Sequence, residues 1–424
     1  MLLRAVAVAA ILNWTVPAAP TQEPERGRGP NRAGDGDRVQ MVQALRERAE
    51  RRKAEARVEA LIRGWRVRGD SPSGRRFELM AVPDSPDLAP EILITDNVNA
   101  AISTGASQIR NTSPYNLNGS GLTVGVWDGG SILQTHQEFA GRLTLVDAVA
   151  SHWHATHVGG TIGAAGVSAS ALGMAPSVHL DSYDWDDDEA EMAAAGAATA
   201  GAAGKIPLSN HSYGFVTGWE TGDFSGSTAP HWFGVNGEAE DRGFGQYGST
   251  SASWDGIVAA HPYYLPFKSA GNDRNNPAPS NGQTYFYFSG GSWQSKAYNA
   301  ATDPKGDGLA NATGAGYDTV TSVGIAKNIM TVGAVNDAVS GGSRSVANAA
   351  MSPFSGWGPA DDGRVKPDIV ANGIGLTSAS DSANNAYAAA SGTSMASPNA
   401  CGSAALLVEY YGDLFGTAMR ASTR

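Results

Sequence analysis

A serine at the start of a helix is the residue with the clearest chemical potential in this sequence. Ser394 lies in SGTSMASPNACGSAALL, where Gly392 allows close backbone approach and an Ala- and Leu-rich run predicts a helix from Met395 onward. A helix start offers unpaired N–H groups and the positive end of the helix dipole, which would stabilise a developing oxyanion. Taken alone, a serine here is better explained as an ordinary helix cap. The choice between cap and nucleophile therefore depends on residues elsewhere in the chain.

Three stretches resemble the catalytic motifs of the subtilisin-like serine proteases. GTSMASP around Ser394 matches the nucleophile motif at every position, GLTVGVWDGG ends an apolar run at Asp128, and HATHVGGT begins at His154. The chain order Asp, His, Ser is that of subtilisin. The resemblance implies that Asp128 orients His154, that His154 is the base, and that Ser394 is the nucleophile. Two positions depart from the pattern, because a Gly-Gly pair follows Asp128 and Ala155 follows His154.

Two more segments resemble substrate-binding parts of the same family. The segment SAGN resembles the one that carries the oxyanion-stabilising asparagine, which would be Asn272 here. SYG resembles the strand along which an extended substrate pairs. His157, one turn after His154, is expected to be structural because a triad needs a single base. The residues expected to line the substrate are Tyr183, Ser212, Tyr213, Gly214, Ser269, Ala270 and Gly271.

The elements that must position these residues are predicted by the pattern over residues 100–424. Apolar runs punctuated by glycine alternate with alanine-rich helical stretches, which indicates parallel strands covered by helices. We therefore expect an α/β fold of three layers, α/β/α, with a mainly parallel central sheet of the subtilisin-like kind. LTVGVWD is a strand that delivers Asp128 to its C-terminal edge, where open α/β sheets bind ligands. Residues 178–183 are expected to form another strand and residues 189–203 a helix.

The end of the chain carries an expectation of its own. The helix after Ser394 should end at Gly412, and residues 414–424 should begin a second helix with an apolar side. The resemblance implies a longer segment after the nucleophile than the 30 residues present here. We therefore expect the catalytic domain, residues 100–424, to be truncated and the natural chain to continue past Arg424.

The composition is that of a glycine-rich globular protein with a leader. The chain has 424 residues, 53 glycines and a net charge of −11. Residues 1–20 combine Arg4, a short apolar run and a small-residue cleavage site, which indicates the signal peptide of a secreted protein. A buried or disordered N-terminus is the alternative. Cys401 is the single cysteine and excludes an intrachain disulfide. No stretch is long enough to cross a membrane, and we expect no nucleic-acid partner.

Residues 21–99 differ sharply in composition from the rest of the chain. Residues 21–76 hold 15 of the 30 Lys and Arg side chains, and residues 39–65 predict a charged helix that two short β-like runs follow. Alone, such a segment is explained as a solvated linker. Beside the protease motifs we interpret it as a propeptide, so the expected partners are this propeptide and polypeptide substrates. Residues 21–89 carry 15 basic and 12 acidic side chains and residues 90–424 carry 14 and 29, which predicts salt-sensitive docking.

Three regions have features that the fold and the catalytic motifs do not require, and each has two possible explanations. Residues 213–298 hold 18 of the chain's 34 aromatic side chains. These side chains either form a satellite core under long loops or present an extended surface to substrate. Residues 303–311, DPKGDGLAN, could hold a structural calcium ion, although no cofactor is required and a plain turn explains them as well. A run of acids either decorates the first turn of a helix or selects substrates with Lys or Arg before the cut. These acids are Asp184, Asp186, Asp187, Asp188 and Glu189.

The motifs together indicate a secreted serine endopeptidase that works through an acyl-enzyme. The main alternative is a protein of the same fold that has lost activity and serves as a binding or adhesion module through its aromatic loops. A serine carboxyl peptidase, which uses an acidic base, is a second alternative against which His154 argues. All three triad residues and Asn272 are present, and this favours the enzyme.

Overall fold

The computed structural model describes residues 35–70, 76–82, 90–95, 101–307, 316–340 and 343–423. All of them belong to the unit Asp35–Arg424, and the predicted signal peptide lies outside them. The strands are β1 (Arg68–Asp70), β2 (Arg76–Ala81), β3 (Glu91–Thr95), β4 (Thr123–Asp128), β5 (Leu143–Leu145), β6 (His179–Asp184), β7 (Leu208–His211), β8 (Tyr213–Phe215), β9 (Trp219–Thr221), β10 (Pro230–Trp232), β11 (Leu265–Ser269), β12 (Thr284–Ser289), β13 (Ser292–Ala297), β14 (Met330–Val335), β15 (Val339–Ser340), β16 (Ser343–Arg344), β17 (Ile369–Asn372), β18 (Ile374–Ser380) and β19 (Ala386–Ser391). The α-helices are α1 (Asp35–Arg63), α2 (Ala101–Thr104), α3 (Trp153–Gly163), α4 (Asp188–Ala195), α5 (Ser249–Ala260) and α6 (Thr393–Phe415).

The central sheet determines which strand ends lie together. Among the described residues it has seven strands in the order β17, β14, β11, β7, β4, β6, β5. Every pair of neighbours in it is parallel. Strands of a parallel sheet are buried on both faces, and β4 is accordingly buried from Val124 to its end. The predicted α/β fold is confirmed, and the carboxyl ends of β4, β7 and β11 meet at one edge.

Helices cover both faces of this sheet and complete the three predicted layers. On one face Val126 of β4 packs in a core with Ile162 of α3 and Leu406 of α6. On the other face Trp127 packs in a second core with Trp254 of α5. Alternate residues of one strand therefore serve two cores, as the pleat of a strand requires. Within the described part of the chain, no helix combines the length and apolar character that crossing a bilayer needs.

A glycine lets α3 and α6 cross closely. A Cβ placed on Gly402 of α6 would lie 3.2 Å from backbone atoms of Ile162 in α3 and 2.7 Å from the Cβ of Met174. A side chain at this point would push the two helices apart. A Cβ on Gly412, further along α6, would have no atom of the described residues within 4 Å.

Two helices end at other residues than the sequence predicts. α6 continues through Gly412 to Phe415 and is closed by Gly416 in the left-handed conformation. The predicted helix over residues 414–424 is wrong, since only a 3₁₀ turn, Ala421–Thr423, follows in the described residues. A single glycine inside a long packed helix costs about 1 kcal/mol, too little to end it. α4 ends at Ala195 instead of residue 203, because Gly196 pairs with Ile206 in an isolated bridge.

The N-terminal segment, meaning the described parts of residues 35–95, folds as a helix and antiparallel strands. α1 packs on α4 and on β2, so the predicted helix is confirmed, and the two predicted β-like runs pair antiparallel as β2 and β3. β3 also pairs antiparallel with β8, with Thr95 opposite Tyr213 and Leu93 opposite Phe215. The N-terminal segment therefore adds its sheet to a strand that the sequence assigned to substrate binding.

A smaller sheet, in the order β13, β12, β10, β9, lies in the aromatic-rich region. Side chains alternate between its two sides, as strands require. One side is closed by a core of its own, which contains Trp219, Trp232, Tyr285 and Tyr298. The other side carries a group in mutual ring contact that we call the aromatic face, which consists of Phe224, His231, Phe233, Phe288 and Trp293. The aromatic residues thus form satellite cores on both sides of the smaller sheet.

The close helix crossing predicts opposite effects for two identical substitutions on α6. Gly402→Ala should lower the free energy of unfolding by about 1–3 kcal/mol, because the new methyl group meets backbone. Gly412→Ala should be neutral or stabilise by up to about 1 kcal/mol, because alanine favours the helix and meets no neighbour. Urea unfolding of both variants in a Ser394→Ala background would measure this. Equal midpoints for the two variants would contradict the close crossing.

Candidate active site

The three predicted triad residues are brought to one edge of the central sheet by different elements. Asp128 is the last residue of β4, His154 lies in the first turn of α3, and Ser394 lies in the first turn of α6. All three side chains are fully buried, with 0% of each exposed. Buried polar groups need hydrogen-bond partners, so the contacts of these side chains define the site.

Asp128 holds the imidazole of His154. The Nδ1 atom of His154 lies 2.8 Å from both carboxylate oxygens of Asp128. The backbone N–H of Gly129 also donates to Asp128, at 2.7 Å, and so fixes the carboxylate. The carboxylate makes Nδ1 the protonated ring nitrogen, which leaves the basic lone pair on Nε2. A base of this kind is what a serine nucleophile needs.

Ser394 is held by a reciprocal pair of hydrogen bonds with Ser212. The Ser394 hydroxyl donates to the backbone carbonyl of Ser212 at 3.0 Å, and the Ser212 hydroxyl donates to the carbonyl of Ser394 at 2.8 Å. The Ser212 hydroxyl also accepts from Asn210 at 2.9 Å, and Asn210 accepts from Ser397 at 2.7 Å. These side chains are all completely buried. A fully bonded network of this kind fixes the start of α6 against the ends of β7 and β8.

Asn272 lies at the same edge, directly after β11, and its amide is oriented by Thr393. The Asn272 Oδ1 atom accepts from the Thr393 N–H at 2.8 Å and from the Thr393 hydroxyl at 3.1 Å. The Thr393 hydroxyl in turn accepts from the N–H of Gly271 at 3.1 Å. With its oxygen occupied, Asn272 has its NH₂ group left as the donor. The first N–H groups of α6 lie beside it, so this edge offers donors to an anion.

The sequence missed two of these positioning residues. Asn210 and Ser397 belong to the network that holds Ser394, yet neither of them was singled out. A signal existed, because three polar residues end the β7 strand and Ser212 follows them, and all four residues of this SNHS run are buried. Burying polar side chains in a strand is unfavourable unless they make hydrogen bonds. Such a run of polar residues therefore indicates a buried hydrogen-bond network.

His157 is structural, as predicted. Its Nε2 atom donates to the carbonyl oxygens of Leu376 at 3.2 Å and of Ala388 at 3.1 Å, which ties α3 to the hairpin of β18 and β19. Burial, reinforced by the neighbouring His154, lowers the pKa of His157 from 6.5 to about 4. The ring is therefore neutral at pH 7.

The residues predicted to line the substrate lie around this edge in different ways. Tyr183 stacks on Trp127 with ring centroids 4.0 Å apart, and Tyr213 is buried with its hydroxyl bonded to Asp188. The residues 269–271 lead from β11 to Asn272 and are buried. Gly271 has a φ of 94°, a conformation that suits glycine. Tyr213 and Gly214 lie on β8, where the backbone of β3 is their partner.

The acidic run lies against bases of the N-terminal segment. Glu189 is ion-paired with Arg48, Asp186 with Lys53, and Asp184 with Arg68 at 3.5 Å. Asp188 and Glu189 are in the first turn of α4, where the helix dipole favours acids. Burial, followed by the nearby Glu189, raises the pKa of Asp188 to about 7. The acids therefore form a ledge that the N-terminal segment covers.

The predicted calcium region is described only over residues 303–307. Asp303 accepts from the Lys296 ammonium at 2.8 Å and from the N–H of Asn299 at 2.8 Å. Asp307 is buried and accepts from the N–H of Trp219 at 3.0 Å. Within the described parts of the chain, no group of three or more His, Cys, Asp or Glu side chains is arranged to hold a metal ion. A structural calcium ion here stays a prediction, since residues 308–311 lie outside the described ranges.

The buried His157 predicts a loss of stability in acid. Its folded-state pKa of about 4 lies below its ordinary value of 6.5, so the unfolded chain takes up this proton first as pH falls. The free energy of unfolding that depends on a neutral His157 is therefore fully present above pH 6.5. It falls by up to about 3 kcal/mol as the pH is lowered towards 4. Urea unfolding of Ser394→Ala across this range should therefore show a steeper decline than Ser394→Ala with His157→Gln. Parallel curves for the two proteins would disprove a neutral buried His157.

The sequence is similar to those of known proteases. Residues 119–423 match the sequence model of the Subtilase family. The serine protease AprX of Bacillus subtilis (strain 168) is 32% identical over 117 residues, which are 25% of this chain and 26% of that protein. The C5a peptidase of Streptococcus pyogenes is 43% identical over 67 residues, 16% of this chain and 6% of that protein. The chain thus spans at most about a quarter of these two relatives.

Solved structures give likenesses at low sequence identity. The CspB protease of Clostridium perfringens covers 74% of this chain and 88% of its own, with 15% identity and a TM-score of 0.46. A cold adapted subtilisin-like serine proteinase covers 74% of this chain and 86% of its own, with 20% identity and a TM-score of 0.38. The family assignment itself comes from the sequence model, which matches well over half of the chain. By that match, and with its Asp, His and Ser motifs at one sheet edge, the chain belongs to the subtilase family.

Proposed function

We propose that this protein is a secreted serine endopeptidase that hydrolyses peptide bonds through an acyl-enzyme. The observation that carries the proposal is the 2.8 Å hydrogen bond between His154 and Asp128, at the edge of the sheet where α6 begins with Ser394. A buried, carboxylate-oriented imidazole beside a serine at a helix start is the arrangement that acyl transfer requires. The catalytically inactive alternative is less favoured, because a binding module would not need this bonded arrangement.

In the first half of the reaction, the Ser394 hydroxyl turns from the carbonyl of Ser212 towards Nε2 of His154. His154 removes the proton while Oγ attacks the carbonyl carbon of the scissile bond. Asp128 stabilises the imidazolium that forms. The C–N bond then breaks, His154 gives the proton to the leaving amine, and the acyl group stays on Oγ. In the second half, His154 removes a proton from a water molecule, whose oxygen attacks the carbonyl carbon of the acyl group. The C–O bond to Ser394 then breaks, His154 returns the proton to Oγ, and the acid is released.

The oxyanion of each tetrahedral intermediate would be held by two donors. One is the NH₂ group of Asn272, whose carbonyl oxygen Thr393 occupies, and the other is the backbone N–H of Ser394. Both donors are already oriented before reaction, so little reorganisation is needed in the transition state. A side-chain donor of this kind is worth roughly 10²- to 10³-fold in turnover.

The N-terminal segment acts as the chain's own propeptide and inhibitor in this proposal. β3 pairs with Tyr213, Gly214 and Phe215, and so occupies the edge of β8 that an extended substrate would use. Ion pairs from Arg48, Lys53 and Arg68 to the acidic ledge add to this contact. We place the boundary between propeptide and catalytic domain at residues 99 and 100, with residues 1–20 as the signal peptide.

Replacement of the nucleophile should abolish activity and maturation. We expect Ser394→Ala to reduce peptide hydrolysis by about 10⁶-fold and to prevent removal of the N-terminal segment. Ser403→Ala is the matched control, because Ser403 lies on the same helix and its hydroxyl donates to the carbonyl of Asn399 and to Thr104. Labelling by a fluorophosphonate probe and the size of the product would be measured. Mature-sized protein from Ser394→Ala, expressed alone in a protease-deficient host, would exclude self-processing.

The ion pairs predict a salt-dependent inhibitor. Residues 21–99, added to mature enzyme, should inhibit less strongly as ionic strength rises, because the pairs with the acidic ledge are partly solvated. Lys53→Met should raise the inhibition constant about tenfold, since it leaves the Asp186 carboxylate without its ion-pair partner. Arg57→Gln, an exposed position of the same helix, should change it by about twofold or less. Inhibition constants that stay equal between low and high salt would refute electrostatic docking.

A further inference from the structure

The aromatic face is covered by the N-terminal segment. Its Phe224 and Phe233 share a core with Ala56, Ala60 and Leu79 of the segment. Trp65 of the segment contacts Phe288 with ring centroids 5.6 Å apart. At the border, Arg66 is ion-paired with Asp223 at 3.0 Å. The side chains on the opposite side of the same sheet pack in a separate aromatic core, which contains none of the residues of the N-terminal segment that the structure describes.

Removal of the N-terminal segment would uncover this face. Phe224, Phe233 and Phe288 are each at most 5% exposed while the segment is in place. Since these rings pack on one another and on Trp293, the parts of them that the segment covers would form one contiguous apolar surface. Contiguous apolar patches of a few hundred Å² or more on soluble proteins mark binding surfaces. The mature enzyme would therefore carry an apolar surface that the full chain hides.

The aromatic face continues directly from the strand edge that substrate would occupy. Phe215, the last residue of β8, and Val216 line a cavity of about 340 Å³ together with Phe233. Pro90, immediately before β3, lines the same cavity. Thr95 is the residue of β3 that lies opposite Tyr213, and Pro90 precedes it by about five residues. A polypeptide that follows the path of β3 would therefore reach the aromatic face about five residues before its own residue that pairs with Tyr213.

We propose that the aromatic face is a secondary substrate-binding surface of the mature enzyme, which takes apolar and aromatic side chains of an extended polypeptide on the N-terminal side of the scissile bond. This inference rests on the proposed peptidase function. Its occupant is a polypeptide substrate, because the path from β8 through the cavity is that of a single extended chain. An acid at the border, Asp223, adds a preference for a neighbouring basic residue.

Two long quenched fluorescent peptides would test the proposal with mature enzyme. The two peptides have the same six residues around the cut. They differ only further upstream, at the positions that would reach the aromatic face, where one carries Trp, Leu and Arg and the other carries Ser and Gly. We expect kcat/KM to be about tenfold higher for the apolar peptide, as burial of aromatic anchors implies. A hexapeptide made of the shared residues reports the catalytic site separately. If the hexapeptide is not cut, the peptidase function fails; if it is cut and the long peptides are equal, the secondary surface fails.

Variants on the two sides of one strand pair sharpen the test. Trp293→Ala, on the aromatic face, should remove most of the preference for the apolar peptide. Tyr287→Ala is the matched control, because Tyr287 packs with the core on the opposite side, and it should keep the preference. Light scattering of the mature enzyme should show a monomer. A dimer that Trp293→Ala dissociates would instead assign the face to a second copy, and would overturn the proposal.

Discussion

Parallel pairing of the central strands is the constraint on which the site depends. Because β4, β7 and β11 run in the same direction, Asp128, Ser212 and Asn272 come from distant parts of the chain to one edge. His154 and Ser394 are then added by two helices that begin at that edge. The geometry of the site is therefore as rigid as the sheet and the helix crossing beneath it. A small displacement of α6 would move the proposed nucleophile Ser394 together with its neighbour Thr393, which orients the proposed oxyanion donor Asn272.

The buried polar residues at this edge show how the helix start is held. Packing alone is non-directional, and it leaves the rotation of α6 about its axis poorly determined. The first turns of the helix donate to Asn210 and Asn272 and accept from Ser212, and these directional hydrogen bonds determine that rotation. Such a network is favourable only when every member is bonded. The same groups therefore serve stability and the orientation of Ser394.

Sequence patterns predicted the elements that are determined locally and missed those that depend on distant contacts. The buried strand that ends at Asp128 and the helices at His154 and Ser394 were predicted because apolar runs and motif residues lie within them. The pairing of β3 with β8 joins segments about 120 residues apart, and no local pattern encodes it. The alternation of β12 was hidden because both of its sides are aromatic. The early end of α4 at Gly196 depends on a bridge to Ile206.

One property of β8 connects inhibition with substrate binding. A strand at the edge of a sheet presents backbone N–H and C=O groups that favour pairing with another strand. In the full chain β3 satisfies these groups on Tyr213, Gly214 and Phe215. Once β3 leaves, the edge is open, and an extended polypeptide is the ligand that restores the pairing with least regard to sequence. In the proposed function, the contacts that β3 makes on β8 would therefore be replaced by substrate contacts, and selectivity would come from surfaces beyond that strand. The acidic ledge and the aromatic face are two such surfaces, and both are covered by the same segment.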